Sequence, residues 1–539
     1  MIEYTKIGFL IVLLLGTKTQ SSDGANILGV FGTHSPSHVI VHMAVMKALA
    51  DRGHNITVVT QMKPKMAAHE NITVIIAPPT EERHKFIKEY MAEVSNEKPS
   101  FWETMVKAIV QSSNQLEGQY EFMMHPNFKE IYENPKTKFD LVILGLMANN
   151  YQLGIAAKLK CPVIISWVGI PLPFMDSIVG NVNDPSYVPT VNVALKAGQN
   201  TMDFGLRFVN FLKYGVMCVF ETVLDYKMNQ FYERAFANEL EFPDYQEMKR
   251  RVSLLFYNYH SPSEGPIRPT VPQSIEIGGI QVKEQADPLP KELAKFLDNA
   301  DEGAIFFSLG TNVNTNTFRP DTVDILYKVL SKLPQRVIWK WEDLKNKPGN
   351  ASNIFFGNWL PQDDILAHPN TKLFITHAGK GGVAEAQYHG VPMVALPIFG
   401  DQQGNAEIMT KSGFGRWLDI LTMTENELKE TIHEVLENPT YRETIGKFST
   451  LYRDRPLTAR QSVIYWTEYV LRYQGALHLQ SPIIHTDFVA RNNLDVYGVV
   501  LLVSILLIVI IRFLFRKILN VASGYSNRRE SLAKKLKSN

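Results

Sequence analysis

The chain has very little cysteine. Two residues in 539, Cys161 and Cys218, cannot build a disulfide framework, so buried apolar surface has to hold the fold together. It has almost no excess of either charge. Fifty-five Lys and Arg stand against 54 Asp and Glu, and a net charge of +1 argues against a nucleic-acid binder. No internal repeat or low-complexity tract is present, which argues against a solenoid. Long apolar runs are confined to the two ends. At this length and 45% hydrophobic content, the remainder is expected to form two core-bearing domains plus additional segments.

The ends suggest a compartment. Ile7 to Leu15 is apolar behind Lys6 and is followed by small polar residues to Gly24. Too short to span a bilayer, residues 1–24 read as a secretory signal peptide. Val496 to Ile511 is apolar, and if Arg512 snorkels the run extends to Phe515, about 20 residues and the length of a membrane-spanning helix. The tail after it carries seven Lys and Arg against Glu530, which belongs on the cytoplasmic side. A single-pass type I protein follows, body lumenal and tail cytosolic. The closing Lys535-Leu-Lys537-Ser-Asn539 has the placement of a dilysine endoplasmic-reticulum retrieval signal. Asn55, Asn71 and Asn350 begin N-x-Ser/Thr sequons. Asn350, in a loop of Lys, Pro, Gly and Asn, is the best acceptor, whereas Asn55 leads into a strand and is expected to be inaccessible.

The densest chemistry lies between Trp359 and Gln403. Leu373 to Thr376 reads as a buried strand, His377-Ala-Gly379-Lys-Gly381-Gly382 as a glycine loop, Val383 to His389 as a helix stopped by Gly390, and Met393 to Leu396 as the next strand. In a parallel α/β sheet such a loop sits at the carboxyl edge, where ligands bind. Its glycines let the backbone turn and come close to a ligand, and backbone N–H groups at a helix start favour an anion. His377 can donate to a phosphate oxygen, and Glu385 can accept from a ribose diol. Asp401 and Gln402 can hold sugar hydroxyls. Trp359 offers a face for a base and Gln362 an amide for its edge. Taken alone, each of these residues is more often structural; the ordered set carries the weight. Gly379-Lys-Gly381-Gly-Val-Ala384, with Asp401 about twenty residues on, also satisfies the weak G-x-G-x-x-A dinucleotide pattern.

The stretch from Phe374 to Gln402 closely resembles the signature of the UDP-glycosyltransferases of the membrane-bound animal type, insect-like in character. The resemblance covers almost the whole chain. It implies an α/β fold of two facing Rossmann-like domains of the glycosyltransferase B type, plus one C-terminal transmembrane helix. The expected organisation is a signal peptide at 1–24, an acceptor-binding domain at 25–267, a linker at 268–290, a UDP-sugar-binding domain at 291–452, a return helix and stalk at 453–495, the span at 496–515 and the basic tail at 516–539. It also implies diphosphate contacts at Ser308, Gly310 and Thr311, where a strand opening at Ala304 enters a glycine turn, and a long helix from Arg453 to Tyr473 crossing back to the first domain. Gly381 departs from the Asn that many relatives carry.

On the acceptor side, Asn26 to Phe31 reads as a strand, followed by a helix from about His38 to Arg52. His34, His38 and His42 are spaced four apart, but Pro36 puts His34 outside the helix and no Glu lies between them, which makes zinc a minor reading. The resemblance places the general base at the His that follows a Ser and precedes the His of Arg-Gly-His by sixteen residues. Ser37-His38 and His54 fit, so His38 is the base and His34 the second choice. The family's orienting acid falls on Gly145, after Phe139-Asp140, and a glycine cannot supply it; Asp140 and Asp176 are substitutes to consider. The stretch Asp203 to Phe236 has apolar residues at helical spacing, either a core stripe or a lipid- or acceptor-facing surface.

The activity expected is inverting transfer of a hexosyl group, glucose by the family's insect habit, from a UDP-sugar to a hydroxyl of a small lipophilic acceptor. No cofactor is expected beyond the UDP-sugar as co-substrate, and no Asp-x-Asp metal pair is evident near the site. Homo- or hetero-oligomers remain open. A catalytically impaired UDP-sugar- or lipophile-binding protein of the same fold is the second reading, kept alive by Gly145.

Overall fold

A computed structural model describes residues 24–96, 100–190, 193, 201–237, 239, 241–312 and 318–538. The expected signal peptide, apart from Gly24, lies outside the described residues. The chain divides into two units, Met1–Ser481 and Pro482–Asn539.

Short runs of Val, Ile, Leu and Phe bounded by turn residues become strands covered on both faces, so they show no polar alternation. In the first lobe these are β1 (Asn26–Phe31), β2 (Asn55–Thr60), β3 (Ile72–Ile76), β4 (Leu141–Gly145), β5 (Val163–Trp167), β6 (Val252–Tyr257) and β7 (Ser274–Glu276). They form one sheet in the order β3-β2-β1-β4-β5-β6-β7, and every pairing is parallel. The second sheet contains β8 (Ala304–Ser308), β9 (Arg336–Lys340), β10 (Ile354–Gly357), β11 (Thr371–Thr376), β12 (Met393–Ala395) and β13 (Gly415–Trp417). Its order is β10-β9-β8-β11-β12-β13, again parallel throughout. Each sheet carries hydrophobic clusters on both faces, as a doubly wound sheet requires.

The helices that matter below are α1 (Pro36–Asp51), α2 (Phe204–Phe236), α3 (Lys380–His389), α4 (Pro439–Arg453), α5 (Ala459–Tyr473) and α6 (Leu494–Lys537). Helix α1 begins with proline in its first turn, two residues before His38, and His34 precedes it. Helix α2 carries the core stripe of its first reading and leaves other apolar side chains exposed. Asn210, Met217, Leu224, Met228, Tyr232 and Phe236 form a buried stripe, while Phe204, Phe208, Phe211, Val219 and Tyr226 stand exposed.

Three expectations need correction. The segment at 268–290 is not only a linker, because Ser274 to Glu276 pairs with β6 and completes the first sheet. The long helix expected from Arg453 to Tyr473 begins only at Ala459. Helix α4 stops at Arg453, Pro456 cannot continue it, and α5 restarts with Thr458 and Gln461 reciprocally capping its first turn at 3.2 and 2.9 Å. Helix α6 does not end at Phe515 but runs 44 residues to Lys537. That is about 66 Å at 1.5 Å per residue, roughly twice the hydrocarbon thickness of a bilayer. Its apolar window has a mean hydropathy of 3.0, long and apolar enough to cross a membrane.

Helix α5 brings the chain back to the first lobe. Val463 and Val470 are fully buried among Val39, Met46 and Leu49 of α1, and Arg52 reaches Glu468 at 2.9 Å. Replacing Thr458→Ala removes the side-chain half of the cap, worth about 1 kcal/mol. Amide hydrogen exchange in the first turn of α5 is expected to accelerate about fivefold, measured by mass spectrometry.

Candidate active site

Both sheets reverse their strand order once, β1 to β4 in the first and β8 to β11 in the second. At such a switch point the loops diverge to opposite faces and leave a crevice beyond the strand ends. His38 follows β1, and Gly145 ends β4. Ser308 to Thr311 follows β8, and His377 follows β11. The two crevices face each other, because Asn312 Nδ2 after β8 donates to Ser35 Oγ after β1 at 2.9 Å.

In the second crevice His377 is the centre. The β8–β11 register sets Thr376 opposite Ser308, so the turns leaving both strands start level. The His377 ring lies between them so tightly that a Cβ on Gly310 would stand 2.5 Å from its Cε1, and one on Gly379 2.4 Å from its Nε2. The glycines therefore make room for this ring, a purpose the sequence did not suggest. Gly310 does need its positive φ of 83°, but the left-handed residue after β11 is Ala378, at φ 60°. Gly379 has an ordinary φ of −64° and is glycine because of the ring beside it. Gly381 and Gly382 are not loop residues but belong to the first turn of α3. Burial, with Lys340 nearby, lowers His377 to about 4, so the ring is neutral and has one N–H to give. Its Nδ1 and the Thr311 hydroxyl are buried without a hydrogen-bond partner. Ser308 is buried and accepts from Gly310 N at 3.4 Å. Together with backbone amides at the start of α3, these groups form a cradle of donors suited to a diphosphate.

The remaining expected residues divide. Gln362 and Glu385 come together, with Gln362 Nε2 donating to Glu385 Oε2 at 2.6 Å, so that donor is already engaged. Burial, with Asp363 nearby, raises Glu385 to about 8. Trp359 keeps 39% of its surface exposed, and Lys65 of the first lobe lies over its ring at 3.7 Å. Asp401 is exposed in a cleft shared with Tyr259, Arg268 and Lys380, and accepts from Asn405 Nδ2 at 2.7 Å. Gln402 differs from expectation. It is buried, and its Oε1 accepts from Ile398 N and Phe399 N at 2.8 and 3.0 Å, so its oxygen fixes the preceding loop.

In the first crevice His38 Nδ1 lies 3.4 Å from Thr33 Oγ1. Burial alone lowers it to about 4. The two substitute acids are committed elsewhere. Asp140 Oδ2 accepts from Asn26 N at 2.8 Å at the opposite end of β4, and buried Asp176 is bonded by Tyr257, Asn181 and Asn183. Among the described residues no three His, Cys, Asp or Glu converge as metal ligands. Asn55 is exposed, contrary to expectation, as is Asn350, whereas Asn71 Nδ2 donates to Ala50 O at 3.3 Å.

Several cross-lobe contacts carry no local sequence signal. Besides Ser35–Asn312 and Lys65–Trp359, Lys380 pairs with buried Glu264, and Gln281 Nε2 donates to Gly381 O at 3.3 Å. Lys340, which acts on His377, was also not singled out; its position at the carboxyl end of β9, next to β8, was the available clue.

Comparison with known proteins agrees with this geometry. The family model described as UDP-glucoronosyl and UDP-glucosyl transferase matches residues 29–527. UDP-glucosyltransferase 2 of Dactylopius coccus is 35% identical over 477 residues, 88% of this chain and 89% of that protein. UDP-glucuronosyltransferase 2B15 of Homo sapiens is 28% identical over 505 residues, 89% and 92% of the two chains. Among solved structures, the glycotransferase of kitacinnamycin and a UDP-glucosyltransferase from Polygonum tinctorium each match with a TM-score of 0.53, at 17% and 14% identity. Each covers 84% of this chain, and the matches span 99% and 100% of theirs. The shared feature is the two-sheet glycosyltransferase B fold.

The enclosure of His377 makes a testable demand. Gly310→Ala or Gly379→Ala forces the ring to move, and UDP affinity measured by calorimetry is expected to fall about tenfold or more, the loss of roughly one charge-assisted hydrogen bond.

Proposed function

We propose, for a chain that belongs to the UDP-glucuronosyl and UDP-glucosyl transferase family, that it transfers a hexosyl group with inversion from a UDP-sugar to a hydroxyl of a small lipophilic acceptor. The observation that carries this reading is the ring of His377 enclosed by Gly310 and Gly379, with Nδ1 and the Thr311 hydroxyl buried and unpartnered beside it.

His38 is the base. Nδ1 faces the Thr33 hydroxyl; in the tautomer that carries its proton there, Nε2 is left free to take the acceptor proton. The acceptor oxygen bonds to the anomeric carbon as the bond to the β-phosphate oxygen breaks, and UDP leaves with the electron pair. Ser308, Thr311, His377 and the amides opening α3 stabilise charge growing on the diphosphate. Trp359 and Glu385 are assigned to the uridine, with Gln362 holding Glu385, and Asp401 is assigned to the sugar. UDP-sugar enters as co-substrate, and no cofactor is assigned. Glucose is favoured as the donor sugar by the higher identity to a relative named for it.

The C-terminal apolar helix fits a membrane anchor. Endoplasmic-reticulum residence with a lumenal body rests on residues 1–24 and on Lys535 and Lys537. N-glycosylation at exposed Asn350, and a role in detoxification, belong to the same reading.

A second reading, a catalytically impaired UDP-sugar-binding protein, is favoured by one observation: burial lowers His38 with no acid acting on it. The two readings separate in one assay, UDP release from UDP-glucose by membranes carrying the full chain, with phenols and steroids as acceptors. For a transferase, His38→Ala is expected to lower kcat about 10²-fold or more, and His377→Ala by a similar factor. Turnover absent while UDP still binds indicates the binding protein, and loss of both overturns the donor site. The pH profile is a further check. Because burial lowers His38 to about 4, its base form persists above that pH. The acid limb of kcat/KM is therefore expected near pH 4 rather than near 6.5.

A further inference from the structure

The groups packed around the base limit which protons it can take. Thr33 gives His38 a hydroxyl partner at 3.4 Å, which can hold the ring and its tautomer but carries no charge. One turn along α1, His42 is fully buried, stacked on Phe31 with centroids 4.5 Å apart and planes 4° from parallel. Its Nδ1 lies 3.0 Å from Ser166 Oγ, and Ser166 is the register partner of Gly145 in the adjacent strand. Its Nε2 has no partner. That atom borders Gly145: a Cβ there would stand 2.9 Å from His42 Nε2 and 2.8 Å from Phe31. Two rings therefore seal the end of β4 beside the base. Burial, with His38 nearby, lowers His42 to about 3, so it too is neutral. With Asp140 and Asp176 committed elsewhere, no carboxylate among the described residues acts on His38.

A base in such surroundings can hold an imidazole in place but does little to stabilise the imidazolium that forms on proton transfer. We propose that this chain glycosylates acidic hydroxyls, phenols and enols, and discriminates against aliphatic alcohols of the same size, because its base is supported by a hydroxyl and a neutral ring but by no carboxylate. The inference rests on the transferase reading above. A phenolic hydroxyl ionises near pKa 10, as tyrosine does, whereas a hydroxyl such as that of water ionises near 15.7. When the base contributes little, the acceptor has to bear the negative charge itself. The O–H bond breaks, the oxygen bonds to the anomeric carbon, UDP departs with the electron pair of the old bond, and the proton ends on His38 Nε2. A hydroxyl that carries charge easily reaches that point at lower cost, so acceptor acidity rather than acceptor shape sets the rate within a size class.

The test uses membranes carrying the full chain, UDP-glucose, para-substituted phenols of graded acidity and size-matched cyclohexanols. The expected result is that kcat/KM rises as phenol pKa falls, with cyclohexanols slower by about 30-fold or more, within the range a general base commands. A smaller gap, or no dependence on phenol acidity, overturns the inference and leaves the transferase reading intact. No turnover of any acceptor while UDP binds overturns that reading and the inference with it. The double variant His42→Ala, Gly145→Asp removes one of the two rings that a side chain at 145 would meet, leaving Phe31 to shift into the space vacated, and supplies a carboxylate. The phenol-to-cyclohexanol ratio is read within one preparation, so partial loss of folded protein cancels. It is expected to shrink about tenfold; an unchanged ratio in a variant that still glycosylates phenols overturns the assignment to the missing carboxylate.

Discussion

The pairing of β8 with β11 is the constraint on which the donor side rests. With Thr376 opposite Ser308, two strands from distant parts of the chain end level, and the turns leaving them share one small space. That space is filled by the ring of His377, and the backbone on either side approaches it closely enough to exclude even a methyl group. Rotation about the side-chain bonds is thereby restricted without a hydrogen bond to Nδ1. Burial, and secondarily the neighbouring Lys340, disfavours a second proton on the ring, so its hydrogen-bonding character does not change across physiological pH. Orientation by contact and neutrality by burial together give a preorganised donor for a developing anion.

The acceptor crevice uses similar means to a different end. There too a glycine, Gly145, borders an imidazole, but the ring belongs to His42, which holds the wall rather than facing the cleft. A neutral hydroxyl orients His38 where a charged partner would do more. The two sides are thus unequal: His377, Thr311 and Ser308 converge in one crevice, whereas His38 in the other has one hydroxyl neighbour, Thr33.

The strands were legible because Val, Ile and Phe runs between glycine and proline turns have few alternatives in a chain of this composition. Asn26–Phe31 agrees to the residue, and the strand opening at Ala304 begins where expected. Gly379 was legible as the first glycine of a loop, but its reason was not, since a sequence does not show which side chain will stand beside it. Gln402 read as an amide free at both ends, and the engagement of its oxygen by Ile398 N and Phe399 N could not be seen before those residues were placed against it. The break at Pro456 was written in the sequence, with Thr458 and Gln461 at capping-box spacing just after it. Ser35 with Asn312, 277 residues apart, and Lys65 with Trp359 were beyond reach, since no periodicity reports which loops of two lobes will meet.

Helix α5 has a consequence for how the protein is made. Val463 and Val470 sit in the same core cluster as β1, α1 and β5, so the first lobe lacks part of its interior until nearly the last residue of the body has been synthesised. About 200 residues separate the end of β7 from the end of α5. At ordinary elongation rates that leaves a groove of apolar side chains on α1 open for about 10–40 s after the first sheet has been completed. The nascent chain therefore has a defined interval in which an apolar surface is exposed, and a chaperone that covers α1 during that interval would protect the lobe that is made first.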